Sequence, residues 1–293
     1  MQTVNSLSGG KTSSYIAMNY PADIEIFALC CIDSHNAGKN IDRQMKLRVN
    51  DKLQKYVPDQ PEFVATSEDP KILKVMFDLE QMIGREIVWV RGLGWEQMMN
   101  IKNAVPNTAK RFCTTMMKME PIFKYLFLHT EFPVKMRIGY RWDEMERVNG
   151  FDETFSYPYL CEERKSTNKR LLSLDDVSNF YVNRWKSIRW RVGEFPLIKD
   201  RISHDRIVEY WKDGPLDFPP DSNCLNCFWK QPQQLRQNFH TDNAIMQWAA
   251  IAEDMHGHTF KDNLTLHQIE KLPPQLDFFF GGGSGCSAGF CTD

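Results

Sequence analysis

The chain has 293 residues, 42% of them apolar and 25% charged, and its 36 basic and 38 acidic residues leave a net charge of −2. This length can bury a full core and predicts one large domain or about two ordinary ones. The charge balance excludes a polybasic chain, so binding to nucleic acid would need a local basic patch. The opening residues are polar, and no stretch is long enough to span a bilayer. We therefore expect a cytoplasmic enzyme without a membrane partner.

Apolar runs and helical patterns alternate along the first half of the chain. The runs resemble strands that are buried on both faces, as in a parallel sheet covered by helices. This pattern predicts an α/β fold with a doubly wound, mostly parallel sheet. The predicted strands are residues 3–7, 24–32, 86–90 and 134–138, and the predicted helices are residues 11–18 and 41–56.

A glycine turn joins the first strand to the first helix within residues 4–14, VNSLSGGKTSS. Such a turn lets backbone N–H groups converge on an anion, and Lys11 adds a positive charge. The common P-loop would place a glycine where this chain has Asn5. The turn predicts a phosphate cradle of another type, and an ordinary turn that caps the helix is the alternative. The expected nucleotide contacts are Ser6, Ser8, Gly9, Gly10, Lys11, Thr12 and Ser13.

The carboxyl end of the second strand is a second candidate contact with the nucleotide. Ligands collect at the carboxyl ends of parallel strands, so we expect Cys31, Ile32 and Asp33 to touch it. The alternative for Asp33 is a cap on the following helix. Because Cys30 and Cys31 belong to an apolar strand, we interpret both as buried core residues.

Residues 151–187 lack a strong periodicity and are expected to form an insertion or a lid over the sheet. The stretch 184–191 interleaves basic and aromatic side chains, as grooves for single-stranded nucleic acid do. We favour a half-buried strand, which explains the pattern without a ligand. Its expected inward side chains are Ile188, Trp190 and Val192, and its expected outward side chains are Arg189 and Arg191.

The chemistry of the sequence changes after residue 220. Residues 224–227 form a C-x-x-C motif, and the tail 281–293, GGGSGCSAGFCTD, adds two thiols. Four convergent sulfurs would suit zinc or an iron–sulfur cluster. Without a secretion signal, such pairs favour metal or redox chemistry over disulfides. We predict a nucleotide-binding domain over residues 1–220 and a cysteine-bearing, metal- or cluster-binding region over residues 221–293.

Four motifs occur in the order found in one enzyme superfamily. The glycine turn resembles the S-G-G-x-D-S signature of the PP-loop ATP pyrophosphatases. Residues 139–147, GYRWDEMER, resemble the G-x-R-x-x-E-S-x-x-R segment of the phosphoadenosine phosphosulfate (PAPS) reductase branch. Residues 111–121 are similar to its cysteine-lysine-proline segment, and residues 195–198 with 205–210 to its P-L-I-x(n)-D-V-x-x-Y block. The ordered set is far more specific than one motif.

This resemblance implies an adenine nucleotide alpha-hydrolase-like fold that grips the phosphates of its ligand. Gly139 and Arg141 match residues of the second motif. Lys11 occupies the variable position of the first, and Thr12 stands where many members have Asp. The implied ligands are ATP or a sulfonucleotide, either PAPS or adenylylsulfate (APS), with Mg²⁺ as a further expected cofactor.

The resemblance also implies a 4Fe-4S cluster. APS reductases carry a Cys-Cys pair in the segment that matches residues 112–113, where this chain has Phe-Cys, and a later C-x-x-C that matches residues 224–227. A fourth iron open to an exogenous ligand is one alternative, and zinc bound by the four cysteines after residue 220 is another. The implied ligands are Cys113, Cys224, Cys227 and, in our assignment, Cys286, which leaves Cys291 free as a reactive thiol.

Three functions are compatible with these features. The first is sulfur transfer, in which ATP adenylates a substrate, with a nucleic-acid acceptor suggested by related DNA phosphorothioation and tRNA thiolation enzymes. A sulfur donor or thiol-reductant protein and a second copy of the chain are the expected partners. The second is reduction of PAPS or APS to sulfite, although the tail lacks the E-C-G-[IL]-H motif of those reductases. The third is a non-catalytic sensor with structural zinc. We adopt the first, with Lys11, Arg141 and Cys291 as the catalytic residues.

Overall fold

The computed structural model describes residues 1–163 and 180–273, in which a five-stranded parallel sheet forms the centre of the molecule. Two antiparallel pairs accompany it: β3 pairs with β4, and β7 pairs with β8. The strands in chain order are β1 (Thr3–Leu7), β2 (Ile24–Leu29), β3 (Cys31–Ile32), β4 (Ala65–Thr66), β5 (Ile87–Arg91), β6 (Val134–Arg137), β7 (Thr154–Glu163), β8 (Phe180–Arg189) and β9 (Arg191–Glu194).

Helices follow most strands and flank the sheet. Short 3-10 helices cover His35–Gly38 and Trp142–Gly150, and a π-helical turn covers Thr114–Met119. In this part of the chain, no helix is both long enough and apolar enough to cross a membrane. The α-helices are α1 (Lys11–Asn19), α2 (Arg43–Tyr56), α3 (Lys71–Ile83), α4 (Trp95–Lys102), α5 (Glu120–His129), α6 (Pro196–Lys199), α7 (His204–Trp211), α8 (Pro232–Thr241), α9 (Asn243–His256) and α10 (Leu266–Glu270).

The order of strands in the central sheet is β5-β2-β1-β6-β9, and every neighbouring pair is parallel. The chain builds outward from β1 to β2 and β5, then returns to place β6 and β9 on the other side of β1. The order therefore reverses between β1 and β6. In doubly wound sheets, the crevice beyond the carboxyl ends of the strands at this switch point is where ligands bind.

Both faces of the sheet are buried, which explains the continuous apolar runs in the sequence. Phe27 of β2 packs into one apolar cluster with Ile16 of α1. Its neighbour Ile26 packs into a second cluster with Phe123 of α5. The first cluster also contains Phe228, so it continues past residue 220. The division into domains at residue 220 stays a prediction.

The second predicted strand divides at Cys30. The central strand β2 ends at Leu29, and Cys31 and Ile32 pair antiparallel with β4. The backbone N–H of Ser67 donates to the carbonyl oxygen of Cys30 at 2.9 Å, which holds the chain where it leaves the central sheet.

The segment 151–187 contains an antiparallel pair where the sequence showed little periodicity, with residues 164–179 outside the described part. Trp190 is buried and Arg189 exposed, as the strand interpretation predicts. The outward placement of Arg191 is wrong, because this side chain is only 3% exposed. Its Nε donates to the carbonyl oxygen of Asp152 at 2.9 Å. A new strand, β9, begins at Arg191 and belongs to the central sheet. The alternation of inward and outward side chains along β8 therefore does not continue into β9.

We expect Gly9→Ala to destabilise the fold more than Gly84→Ala. Both glycines have positive φ angles, +74° and +61°, where an L side chain costs roughly 1–2 kcal/mol. A methyl group at Gly9 would also collide with Ile72, whereas the space beside Gly84 is open to 4 Å. Such overpacking typically adds about 1–3 kcal/mol. Urea unfolding of both variants measures the difference, and equal losses would contradict the close contact.

Candidate functional site

The glycine turn lies between the carboxyl end of β1 and the start of α1. Gly10 is the N-cap residue of α1, and no side chain of the described residues caps this helix. The Oγ of Ser13 accepts from the backbone N–H of Ser8 at 3.1 Å and hydrogen-bonds the Ser8 hydroxyl at 3.1 Å. The turn is thus tied to the helix while the first backbone N–H groups remain available for an anion.

The other residues of the predicted cradle surround this turn. Ser6 is buried within β1, and Lys11 and Thr12 begin α1 half-buried. The Lys11 ammonium has no ion pair among the described residues, so its charge is available to a ligand. Its backbone carbonyl accepts from Trp211 Nε1 at 2.9 Å, which fixes the start of α1 against α7.

The segment with Gly139 and Arg141 follows β6 and therefore lies at the same edge of the sheet as the glycine turn. Strands β1 and β6 are adjacent and parallel, with Asn5 opposite Arg137. The guanidinium of Arg141 pairs with Glu144 at 2.8 Å and with Asp143 at 3.3 Å. A phosphate that binds Arg141 must therefore compete with two carboxylates.

The end of β3 is occupied by structural contacts. The Asp33 carboxylate accepts from Arg91 Nη2 at 2.8 Å, and the Arg91 side chain is fully buried. Cys31 and Ile32 are fully buried. The interpretation of Asp33 as a helix cap is wrong: the N-cap of the following 3-10 helix is Ser34, and no side-chain cap is formed. The predicted nucleotide contact of residues 31–33 stays a prediction.

A pocket lies beside this edge of the sheet. Three of the predicted metal ligands line it: Cys113 from the segment before α5, and Cys224 and Cys227 from the C-x-x-C turn. The other predicted residues, Cys286 and Cys291, lie outside the described residues. The lining includes Cys30, Cys113, Cys224, Cys227, Lys118 and Asn226.

Backbone and ion-pair contacts hold the C-x-x-C turn. The backbone N–H of Cys227 donates to the Cys224 carbonyl at 3.0 Å. The buried ammonium of Lys230 pairs with Asp221 at 2.6 Å across this segment. The turn therefore presents both of its cysteines to the pocket from a fixed backbone.

Ser67 joins the C-x-x-C turn to the sheet. Its hydroxyl donates to Cys224 Sγ at 3.0 Å and accepts from Trp95 Nε1 at 2.7 Å. Its backbone carbonyl accepts from the N–H of Leu225 at 2.7 Å. The backbone N–H of Ser67 also donates to the carbonyl oxygen of Cys30. Ser67 therefore orients both the Cys30 segment and the C-x-x-C turn, which line the pocket.

The pocket raises the pKa values of most of its thiols. Burial raises the pKa of Cys113 to about 11 and that of Cys227 to about 12. The hydrogen bond from the Cys30 thiol lowers the pKa of Cys224, and the same bond, with burial, raises the pKa of Cys30. Metal binding must therefore displace protons from these thiols.

Sequence reasoning missed Cys30 and Glu68. Cys30 is buried as expected, yet its Sγ, the Cys224 Sγ and a Glu68 carboxylate oxygen lie within 4.8 Å of one another. Glu68 is itself fully buried, and its Oε1 lies 3.5 Å from Lys118 Nζ. The available signal was the position of Cys30 at a strand's carboxyl end, where ligands collect.

Comparison of the chain with protein-family models, curated proteins and solved structures finds no match.

We expect Ser67→Ala to lower the free energy of unfolding by about 1–3 kcal/mol, because the buried N–H of Trp95 would lose its acceptor. Ser14→Ala is the matched control. The Ser14 hydroxyl is buried in α1 without a partner among the described residues. Its removal should be neutral or stabilising. Thermal or urea unfolding checks both variants, and an equal effect would argue against a structural role for Ser67.

Proposed function

We propose that this protein is a PP-loop enzyme of the PAPS reductase-like branch that binds ATP at the glycine turn and transfers sulfur to an adenylated substrate. The observation that carries the proposal is the convergence of two separate motifs at the topological switch point. The glycine turn follows β1, the Gly139 segment follows β6, and the sheet order reverses between these two strands. This crevice is where open α/β sheets bind ligands.

The cradle and the cysteine pocket are neighbours. A Cβ placed on Gly10 would lie 2.5 Å from the Ser222 hydroxyl, two residues before Cys224 in the chain. A nucleotide at the glycine turn would therefore meet the segment that carries the C-x-x-C motif. This proximity supports a function that uses both sites in one reaction.

The proposed chemistry begins with attack of a substrate oxygen on the α-phosphorus of ATP. The bond to the pyrophosphate oxygen breaks, and pyrophosphate leaves with the electron pair. A sulfur donor at the oxidation level of hydrosulfide then attacks the activated atom, and AMP leaves with the former substrate oxygen. A carbonyl or phosphoryl oxygen of a nucleic acid is the proposed acceptor, and a sulfur-carrying protein is the proposed donor. Catalysis of this kind depends mainly on positioning and charge neutralisation.

Lys11 supplies positive charge to the phosphates, and the first N–H groups of α1 donate to their oxygens. Arg141 offers a planar fork for an oxyanion once its carboxylate partners are displaced. Mg²⁺ is the proposed counterion of the bound triphosphate.

The cysteine pocket fits the proposed 4Fe-4S cluster through its several thiols and the cation of Lys118 beside them. Cys113, Cys224 and Cys227 would hold it. When bound, such a cluster supplies iron and sulfide next to the crevice. Lys118, whose ammonium lies 3.5 Å from the Glu68 carboxylate, supplies positive charge beside this anionic thiolate-ligated group.

We expect Lys11→Ala to weaken ATP binding about tenfold or more, since one charge-assisted contact with phosphate is typically worth about 1.5–3 kcal/mol. The backbone donors remain, so the variant should fold normally. Lys124→Ala is the control, because Lys124 is exposed on α5 and pairs with Glu120. Calorimetric titration with ATP and with a sulfonucleotide measures both affinities. Unchanged binding in folded Lys11→Ala would remove the cradle from the proposal.

We expect the anaerobically purified protein to release pyrophosphate and AMP when it is supplied with ATP, hydrosulfide and oligonucleotide acceptors. Chromatographic detection of both products, with sulfite measured in parallel from PAPS or APS, checks the reaction class. Sulfite release without pyrophosphate would identify a sulfonucleotide reductase. Tight nucleotide binding without any product would favour a sensor.

A further inference from the structure

The pocket has a fourth cysteine that does not belong to the predicted ligand set. Cys30 immediately follows β2, and its side chain is 3% exposed. Its carbonyl oxygen accepts from the backbone N–H of Ser67 at 2.9 Å and from Thr66 Oγ1 at 3.2 Å. These bonds fix the thiol on the wall of the pocket that faces the C-x-x-C turn.

The sulfur of Cys30 lies close to that of Cys224, since both belong to the group of three ligand atoms within 4.8 Å of one another. The third member, Glu68, has its carboxylate beside the ammonium of Lys118. Cys113 and Cys227 line the same pocket. Four thiols from three separate parts of the chain therefore surround one space.

Asn226 is an independent sign of a ligand in this pocket. It lies between the two cysteines of the C-x-x-C turn, is fully buried, and lines the pocket. Neither its amide nitrogen nor its amide oxygen has a hydrogen-bond partner among the described residues. Buried amides are rarely left unpaired, and an N–H group can donate to the sulfurs of a cluster.

The three thiols that match the motif are spaced too widely for one zinc ion. In a tetrahedral zinc site the sulfurs are about 3.8 Å apart, as follows from Zn–S bonds of about 2.3 Å. In the described part of the chain, Cys30, Glu68 and Cys224 form the only trio of His, Cys, Asp or Glu ligand atoms within 4.8 Å. The sulfurs of Cys113, Cys224 and Cys227 therefore do not all lie within 4.8 Å of one another. Cys30 and Cys224 are closer, so their thiols must separate to bind different irons of a cluster.

We propose that Cys30 is the fourth cluster ligand, together with Cys113, Cys224 and Cys227. This inference deepens the proposed function, because it rests on the cluster assigned there. It replaces the assignment of Cys286 and compensates for Phe112, which occupies the position of a matching ligand in the motif. Neither tail cysteine is then needed to hold the cluster, and both remain available for reaction with sulfur.

The test compares Cys30→Ala with Cys31→Ala in the full-length protein, reconstituted anaerobically with iron and sulfide. Both substitutions remove a sulfur from adjacent buried residues, but only Cys30 lines the pocket. We expect Cys30→Ala to lose about tenfold or more in iron affinity against a chelator, a loss typical of a disturbed metal site. Cys31→Ala should keep the iron, the sulfide and the visible absorption of the original protein.

A third variant, Cys286→Ala with Cys291→Ala, makes the test independent of the folding of Cys30→Ala. Circular dichroism of the apo proteins establishes which variants fold, and the tail variant decides alone if Cys30→Ala does not. We expect the tail variant to retain its full iron and sulfide. Full retention by folded Cys30→Ala, or cluster loss from the tail variant, would overturn the assignment.

The metal bound by the original protein provides a further criterion. One zinc per chain without sulfide would overturn both the cluster and its Cys30 ligand. ATP titration of the same samples separates this inference from the nucleotide proposal. Absent ATP binding by a protein with a Cys30-dependent cluster would remove the nucleotide function and uphold the ligand set.

Discussion

The hydrogen bonds of Ser67 connect the parts of the molecule on which the candidate site depends. Its N–H binds the carbonyl of Cys30, its carbonyl binds the N–H of Leu225, and its hydroxyl lies between Trp95 and Cys224. These groups are all in the protein interior, where an unpaired partner is costly. The network therefore sets the distance between the sheet edge and the C-x-x-C turn. No local sequence pattern in either segment determines this distance.

The parallel sheet provides the second constraint. Because both faces are covered by apolar clusters, the ends of the strands are where a ligand can reach the sheet. The order β5-β2-β1-β6-β9 brings the glycine turn and the Gly139 segment to neighbouring strands although they are distant in sequence. Topology thus assembles the candidate crevice from segments that carry little specificity alone.

The sequence was most informative where one local pattern determines the structure. The predicted first strand, residues 3–7, matches β1 because its apolar run ends at a glycine turn. The C-x-x-C spacing indicated two thiols at one place, and both line the pocket. The role of Cys30 as a pocket residue could not be predicted in this way. Its position depends on the change of chain direction after β2, which the hydrogen bond from Ser67 holds. The burial of Arg191 likewise depends on the start of a new strand, which the alternation of side chains along β8 does not reveal.

Ser222 lies beside Gly10 and two residues before Cys224, so the proposed nucleotide and the proposed cluster would both adjoin the same short segment. A ligand that moves Ser222 away from the glycine turn also moves the chain that leads to Cys224. Under the proposed function, thermodynamic linkage would make this effect reciprocal: the bound cluster would change nucleotide affinity by the same factor by which nucleotide changes affinity for the cluster. Loss of the proposed cluster would then be measurable as a change in affinity for the proposed nucleotide at the glycine turn.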